Sequence, residues 1–328
     1  MDILTAKRIA VVTGANKGIG LEIVRQLAFN GVMVILTARN EKRGAEAVEK
    51  LIKSGVSDVV FHQLDVADPA SVASLSEFIK TKFERVDILV NNAGVASLEI
   101  DSEVLDSLDG DDTEVNNDDY SAIHQEFDSV VLKELGSNDQ QSGGSRFLKV
   151  LAAGKETYEK AKECLDINFY GTKRVTEALI PLLQLSNQPR IVNVSSIHGQ
   201  LQYIPNESIQ KQFDDVNDPK EEIKLDEILQ KFLNDMQENK LEENGWPTFG
   251  SAYKVSKAAM NTYTRILAKR YPSMCINSVH PGYVKTDITW NSGILTVEEG
   301  ASYPVILALL PDGSPSGLFY DKMEVISF

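Results

Sequence analysis

Residues 13–20 read TGANKGIG, wedged between the apolar run RIAVV (8–12) and the amphipathic stretch GLEIVRQLAF (20–29). A strand that turns through a glycine-rich loop into a helix leaves free backbone N–H groups at the positive end of the helix dipole, which is where a pyrophosphate docks. Gly14, Gly18 and Gly20 let the chain turn and let phosphate approach closely, and Asn16, Lys17 and Ile19 complete the loop. The plain alternative is a tight structural turn between strand and helix.

The pattern continues outward from this loop. Apolar runs VMVILTA (32–38), VVFHQLD (59–65) and VDILVNN (86–92) alternate with helix-like stretches such as EKRGAEAVEKLIKSG (41–55). Strand-helix-strand alternation predicts a parallel sheet with right-handed crossovers, and runs apolar at every position suit strands buried on both faces. The expected fold is α/β, a Rossmann-type doubly wound parallel sheet in a single domain over 1–328, with two insertions.

The first insertion, about 96–154, opens with ten acidic residues and no Lys or Arg between Glu99 and Asp119, a composition that predicts partial disorder. A long amphipathic helix is expected from Lys155 to near Pro181, followed by the buried strand RIVNVSS (190–196). The second insertion, about 200–247, carries helical periodicity in LDEILQKFLNDM (225–236). The core resumes with a helix from Ser251, a strand INSVHPG (276–282), a helix near Glu298–Leu310 and a last strand GLFY (317–320).

A chain of 328 residues with a net charge of −15 disfavours nucleic acid and anionic membranes, both of which attract clustered Lys and Arg. Two separated cysteines, Cys164 and Cys275, suggest neither a disulfide framework nor zinc. The four histidines, His62, His124, His198 and His280, lack metal-ligand spacing, and no metal is expected. With no leader or membrane-length apolar run, the expected location is cytoplasmic.

The stretch SAYKVSK (251–257) places Tyr253 and Lys257 at i and i+4, on one helical face. A tyrosine that trades protons near neutral pH needs a pKa below its free value of ~10, and a neighbouring ammonium would lower it toward neutrality. Strand two ends LTARN, with Arg39 where a ribose-binding carboxylate would stand; with Lys17 and Arg43 this favours NADPH/NADP+ over NADH, the alternative for Arg39 being a solvated surface charge.

The G-xxx-G-x-G spacing, NNAG (91–94), NVSS (193–196), YKVSK (253–257) and HPGYVKTD (280–287), in that order, resemble the motifs of the short-chain dehydrogenase/reductase superfamily across nearly the whole chain. The resemblance implies catalytic roles for Asn168, Ser196, Tyr253 and Lys257. It gives Asp65 the adenine, with Val66 beside it. Asn91 is expected to steady the sheet and ribose region, with Ala93 and Gly94 following. Pro281, Gly282, Val284 and Thr286 form the loop that holds the nicotinamide, while Tyr253 and Lys257 also meet the cofactor. Taken singly, these residues could be ordinary caps and turns.

The helical stretch between Ser196 and Tyr253 resembles the carbonyl-reductase branch, where such a segment covers the oligomerisation surface and the pocket, implying a monomer. GANKGIG, LDVADPASV and PRIVNVSS are further similar to the plant menthone (neomenthol) reductase and salutaridine reductase group, which implies reversible reduction of a bulky apolar terpenoid or alkaloid ketone. Trp246, Tyr283 and Trp290 are the expected apolar pocket walls. Enone double-bond reduction and a non-catalytic NADP(H)-binding role stand as alternatives.

Overall fold

A computed structural model describes residues 7–99 and 154–328. The acidic excursion, apart from its two ends, and His124 lie outside the described residues. Strands β1 (Ile9–Val12), β2 (Met33–Ala38), β3 (Val59–Gln63), β4 (Ile88–Asn91), β5 (Arg190–Val194), β6 (Cys275–His280), β7 (Phe319–Asp321) and β8 (Glu324–Ile326) form one sheet in the order β3-β2-β1-β4-β5-β6-β7-β8. Every pairing from β3 to β7 is parallel. The β8 edge is antiparallel, a departure from the all-parallel expectation. Three residues after a turn at Lys322, two exposed and one half-buried, are too few to carry a periodic signal that would reveal a strand.

Strand side chains alternate between two cores, as period 2 demands. Ile9 and Val11 face a layer built from α3 (Pro69–Lys82), α4 (Tyr158–Leu165), α5 (Thr172–Leu183) and α8 (Ser251–Arg270). Ala10 and Val12 face α1 (Gly18–Phe29), α2 (Glu41–Lys53) and α9 (Val297–Ala308). Burial on both faces is why VMVIL is apolar throughout. The strand order reverses between β1 and β4, which opens a crevice at their carboxyl ends.

The expected single helix from Lys155 to Pro181 is instead α4 and α5 joined by a π-helical turn, Asp166–Gly171. Helix α5 also runs past Pro181 to Leu183; Pro181 is exposed, so water can meet the carbonyl that the missing N–H leaves.

The 200–247 segment supplies α6 (Glu207–Asp215) and α7 (Glu222–Gln237). Phe213, Leu225, Leu229 and Phe232 are fully buried in the layer that contains α4 and α8. Glu222 clasps Lys173 at 2.5 Å and Arg270 at 2.6 Å, tying α7 to α5 and α8. Trp246 lies in this core, not in a pocket wall: it packs edge-on to Phe232, and its indole N–H donates to Asp235 at 2.7 Å. No helix among the described residues is long and apolar enough to cross a membrane. Replacing Trp246 by Phe removes a buried hydrogen bond to a carboxylate, and urea denaturation is expected to show a loss of about 1–3 kcal/mol.

Candidate active site

At the crevice, the Thr13 hydroxyl accepts the backbone N–H groups of Asn92 and Ala93, each at 2.9 Å, and so welds the loop after β1 to the end of β4. The Asn92 amide donates back to the Thr13 and Gly14 carbonyls. Gly14, at φ +62, comes so close to β4 that an added Cβ would stand 2.8 Å from Ala93 Cα. Thr13 and Asn92 carried no assigned role in the sequence reading, although both lie inside its quoted motifs. Their signal is a short polar side chain at a strand end, which is common to many turns.

This loop floors a cavity of about 900 Å³. Gly14, Asn16, Lys17, Gly18, Ile19 and Gly20 line one part of it. Arg39, Arg43, Asp65, Val66, Ala93 and Gly94 continue the wall. Pro281, Gly282, Val284 and Thr286 close the opposite side. Asn91 is absent from the lining: it is buried in β4, where its amide donates to Asn193 at 2.8 Å and Thr176 at 3.0 Å, binding β4 to β5 and α5.

The lining fits a dinucleotide in its donor chemistry and its clearances. The glycine cradle keeps side chains away from the loop floor, and an added Cβ at Gly20 would meet Gly14 O at 2.7 Å. Arg39 and Arg43 are exposed at the cavity edge, and neither guanidinium has a hydrogen-bond or ion-pair partner among the described residues, which leaves both able to take a phosphate. Lys17 instead pairs with Asp287 across the cavity mouth, both side chains well exposed. Asp65 lines the cavity and also caps its own turn, accepting from Ala67 N at 3.0 Å.

Ser196, two residues past β5, stands beside the Tyr253 side chain and acts to lower its pKa, while its hydroxyl accepts the His198 backbone N–H at 3.2 Å. Lys257 Nζ donates to the Val194 carbonyl at 2.9 Å and stands 5.7 Å from the Tyr253 ring centroid. All three line the cavity, brought together by β5 and the first turns of α8. Asn168 does not line it. The π-helical turn points its amide at Val95, accepting from Val95 N at 2.8 Å and donating to Val95 O at 3.0 Å, with Ser256 and the Cys164 thiol as further partners. Asn168 and Lys257 nevertheless flank one spot, since a Cβ at Gly94 would lie 3.4 Å from Asn168 Oδ1 and 3.8 Å from Lys257 Nζ.

Protonation departs from the expectation that Lys257 lowers the tyrosine pKa. Part of the ring faces the cavity, yet burial around the hydroxyl pushes Tyr253 up to about 12, against a lowering contribution from Ser196. Burial also pushes Lys257 down to about 8. Desolvation is the largest cause in both groups, and Tyr253 stands as a phenol across the neutral range.

Around this centre the cavity widens beside Leu98, His198, Tyr203, Phe249, Tyr283 and Trp290. Tyr283 and Trp290 were expected there; Leu98, Tyr203 and Phe249 were not, because nothing in their local sequence reports a cavity wall. From the stretch 200–247 only Tyr203 reaches the lining. Among the described residues no group of His, Cys, Asp and Glu gathers to hold a metal ion.

A family model for short chain dehydrogenases matches residues 8–118. The chain is 51% identical over 329 residues to Short-chain dehydrogenase/reductase 1 of Saponaria officinalis, covering 100% of this chain and 98% of that protein. The solved structure of salutaridine reductase from Papaver somniferum is similar at a TM-score of 0.81 and 46% identity, covering 96% of this chain and 100% of that one. Menthone neomenthol reductase from Mentha piperita matches at a TM-score of 0.75 and 48% identity, covering 97% and 100%.

If Arg39 receives a ribose 2′-phosphate, Arg39→Ala weakens binding of 2′,5′-ADP by about tenfold or more and leaves 5′-AMP unchanged, as read by calorimetry.

Proposed function

The chain belongs to the short-chain dehydrogenase/reductase family, and from that membership we propose that it is an NADPH-dependent carbonyl reductase, converting the ketone of a bulky apolar terpenoid or alkaloid to the alcohol, reversibly. The observation that carries this reading is the Tyr253 phenol, with Ser196 and the Lys257 side chain lining the same cavity as the glycine cradle. The named activities of the salutaridine and menthone reductases, and the apolar walls from Leu98, Tyr203, Phe249 and Trp290, support the substrate class.

In this reading Gly14, Asn16, Gly18, Ile19 and Gly20 cradle the pyrophosphate, Arg39 and Arg43 hold the 2′-phosphate, and Asp65 with Val66 bounds the adenine. Ala93, Gly94, Pro281, Gly282, Val284 and Thr286 enclose the ribose and nicotinamide. Bound there, the nicotinamide supplies the hydride. Tyr253 gives its proton to the carbonyl oxygen, and the Ser196 hydroxyl hydrogen-bonds that oxygen as negative charge grows on it. Lys257 holds a positive charge beside the forming alkoxide. Asn168 fixes Val95 and the turn behind Lys257, and Asn91 acts through the sheet and not by contact.

Retention of Tyr253 favours carbonyl reduction over reduction of an enone double bond. The protein is further proposed to act as a cytoplasmic monomer. Helices α6 and α7 bury the outer faces of α4 and α8, and both cysteines are free and buried.

The deciding experiment measures NADPH consumption with monoterpenoid and alkaloid ketones and identifies the product. Tyr253→Phe is expected to bind NADPH normally and lose about 10²–10⁴-fold in kcat, and native-like turnover by that variant sinks the mechanism.

The pH dependence has a definite sign. Tyr253, at about 12, stays protonated through the assay range, while Lys257 is charged below about 8 and neutral above it. Ketone reduction should therefore hold level from mildly acidic to neutral pH and fall as pH rises through about 8. A kcat/KM that climbs steadily across this range contradicts the assignment.

A further inference from the structure

Helix α8 carries Tyr253 and Lys257, yet it begins at Gly250, φ +53, which has no side chain to cap it. Its first free N–H groups are met by a residue from far along the chain. Glu156 Oε2 accepts the Ser251 backbone N–H at 2.8 Å and the Ser251 hydroxyl at 2.5 Å, and Oε1 accepts the Ala252 N–H at 2.9 Å. Ser251 and Ala252 are fully buried, so water is a poor substitute for the carboxylate. A negative charge at this end of the helix also meets the positive end of its dipole.

Glu156 is itself held. Its neighbour Lys155 exchanges backbone hydrogen bonds with Glu99 at 2.8 and 2.9 Å, and Thr157 caps α4. On the other side of the contact, Phe249, Gly250 and Tyr253 all line the cavity. The turn that Glu156 holds is thus also cavity wall, and Tyr253 is the second residue beyond Ser251. Lys257, a turn further on, has its own anchor at the Val194 carbonyl.

We propose that Glu156 is a positioning residue for the reaction: its carboxylate fixes the first turn of α8 and so sets the place of the Tyr253 hydroxyl opposite Ser196. This inference rests on the carbonyl-reductase reading. The cofactor cradle is built mainly on β1, β2, β4 and the loop after β6, so disturbance of Glu156 separates proton delivery from nucleotide binding. A misplacement of order 1 Å is enough to cost roughly 10²-fold in rate.

The test compares the native protein, Tyr253→Phe, Glu156→Ala and Glu156→Gln for kcat, ketone KM and NADPH Kd. Glu156→Ala is expected to lose about 100-fold in kcat and Glu156→Gln, which keeps one oxygen acceptor, about tenfold. Both should keep the native NADPH Kd. Should Glu156→Ala not fold, the Glu156→Gln values decide alone. Absence of ketone turnover in the native protein would defeat the functional reading itself. Native turnover with a dead Tyr253→Phe and unimpaired Glu156 variants would overturn only the positioning role. Parallel loss of kcat and NADPH affinity in both Glu156 variants would overturn it too, because that marks general disruption.

Discussion

A buried ammonium is the constraint around which the site is arranged. Lys257 lies in the protein with its Nζ on the Val194 carbonyl, and burial alone draws its pKa down to about 8. Charge in such surroundings persists only where polar atoms face it. The end of β5 supplies one such atom, and the cavity beside it is where others can be brought. Gly94 leaves the space between Lys257 and Asn168 clear. Asn168, Ser256 and Cys164 form a polar cluster behind it, which the π-helical turn makes possible by widening the helix at that point.

The same constraint explains the division of labour within the fold. The reversal of strand order between β1 and β4 opens the crevice, and Thr13 with Asn92 locks its two lips together. The glycine cradle sits on backbone tied to the end of β4, whereas Tyr253 and Lys257 sit on one helix, α8, packed against β6 and bonded to β5 through Lys257. In the short turn that finishes the cavity, Trp290 and Asn291 both adopt positive φ at its edge.

Much of this was legible in the sequence because the relevant signals are local. RIAVVTGANKGIG shows a strand, a glycine-rich loop and a helix start in thirteen residues, and the i, i+4 spacing of Tyr253 and Lys257 puts both on one face once a helix is assumed. Asn91 bonds across the sheet to Asn193 and Thr176 but stays out of the cavity lining, which its neighbour Asn92 reaches; the two differ only in which way a strand-end side chain points. The direction of the Tyr253 pKa was also misjudged: pairing is visible in sequence, whereas desolvation depends on atoms from distant segments. For the same reason Trp246 read as a cavity wall and proved to be core, and Glu156 gave no hint of capping a helix that begins 95 positions later. The residues between Ile100 and Ala153 lie outside what the structure describes, so their composition stands without a structural counterpart.

In the proposed reaction, hydride goes to a carbonyl carbon whose oxygen takes the Tyr253 proton. The most direct measurement supplies NADPH deuterated at the transferable position with a substrate that bears both a ketone and a conjugated double bond, and locates the label by NMR. Deuterium on the carbinol carbon of an alcohol is the predicted result. Deuterium on the carbon β to an intact carbonyl would contradict the account.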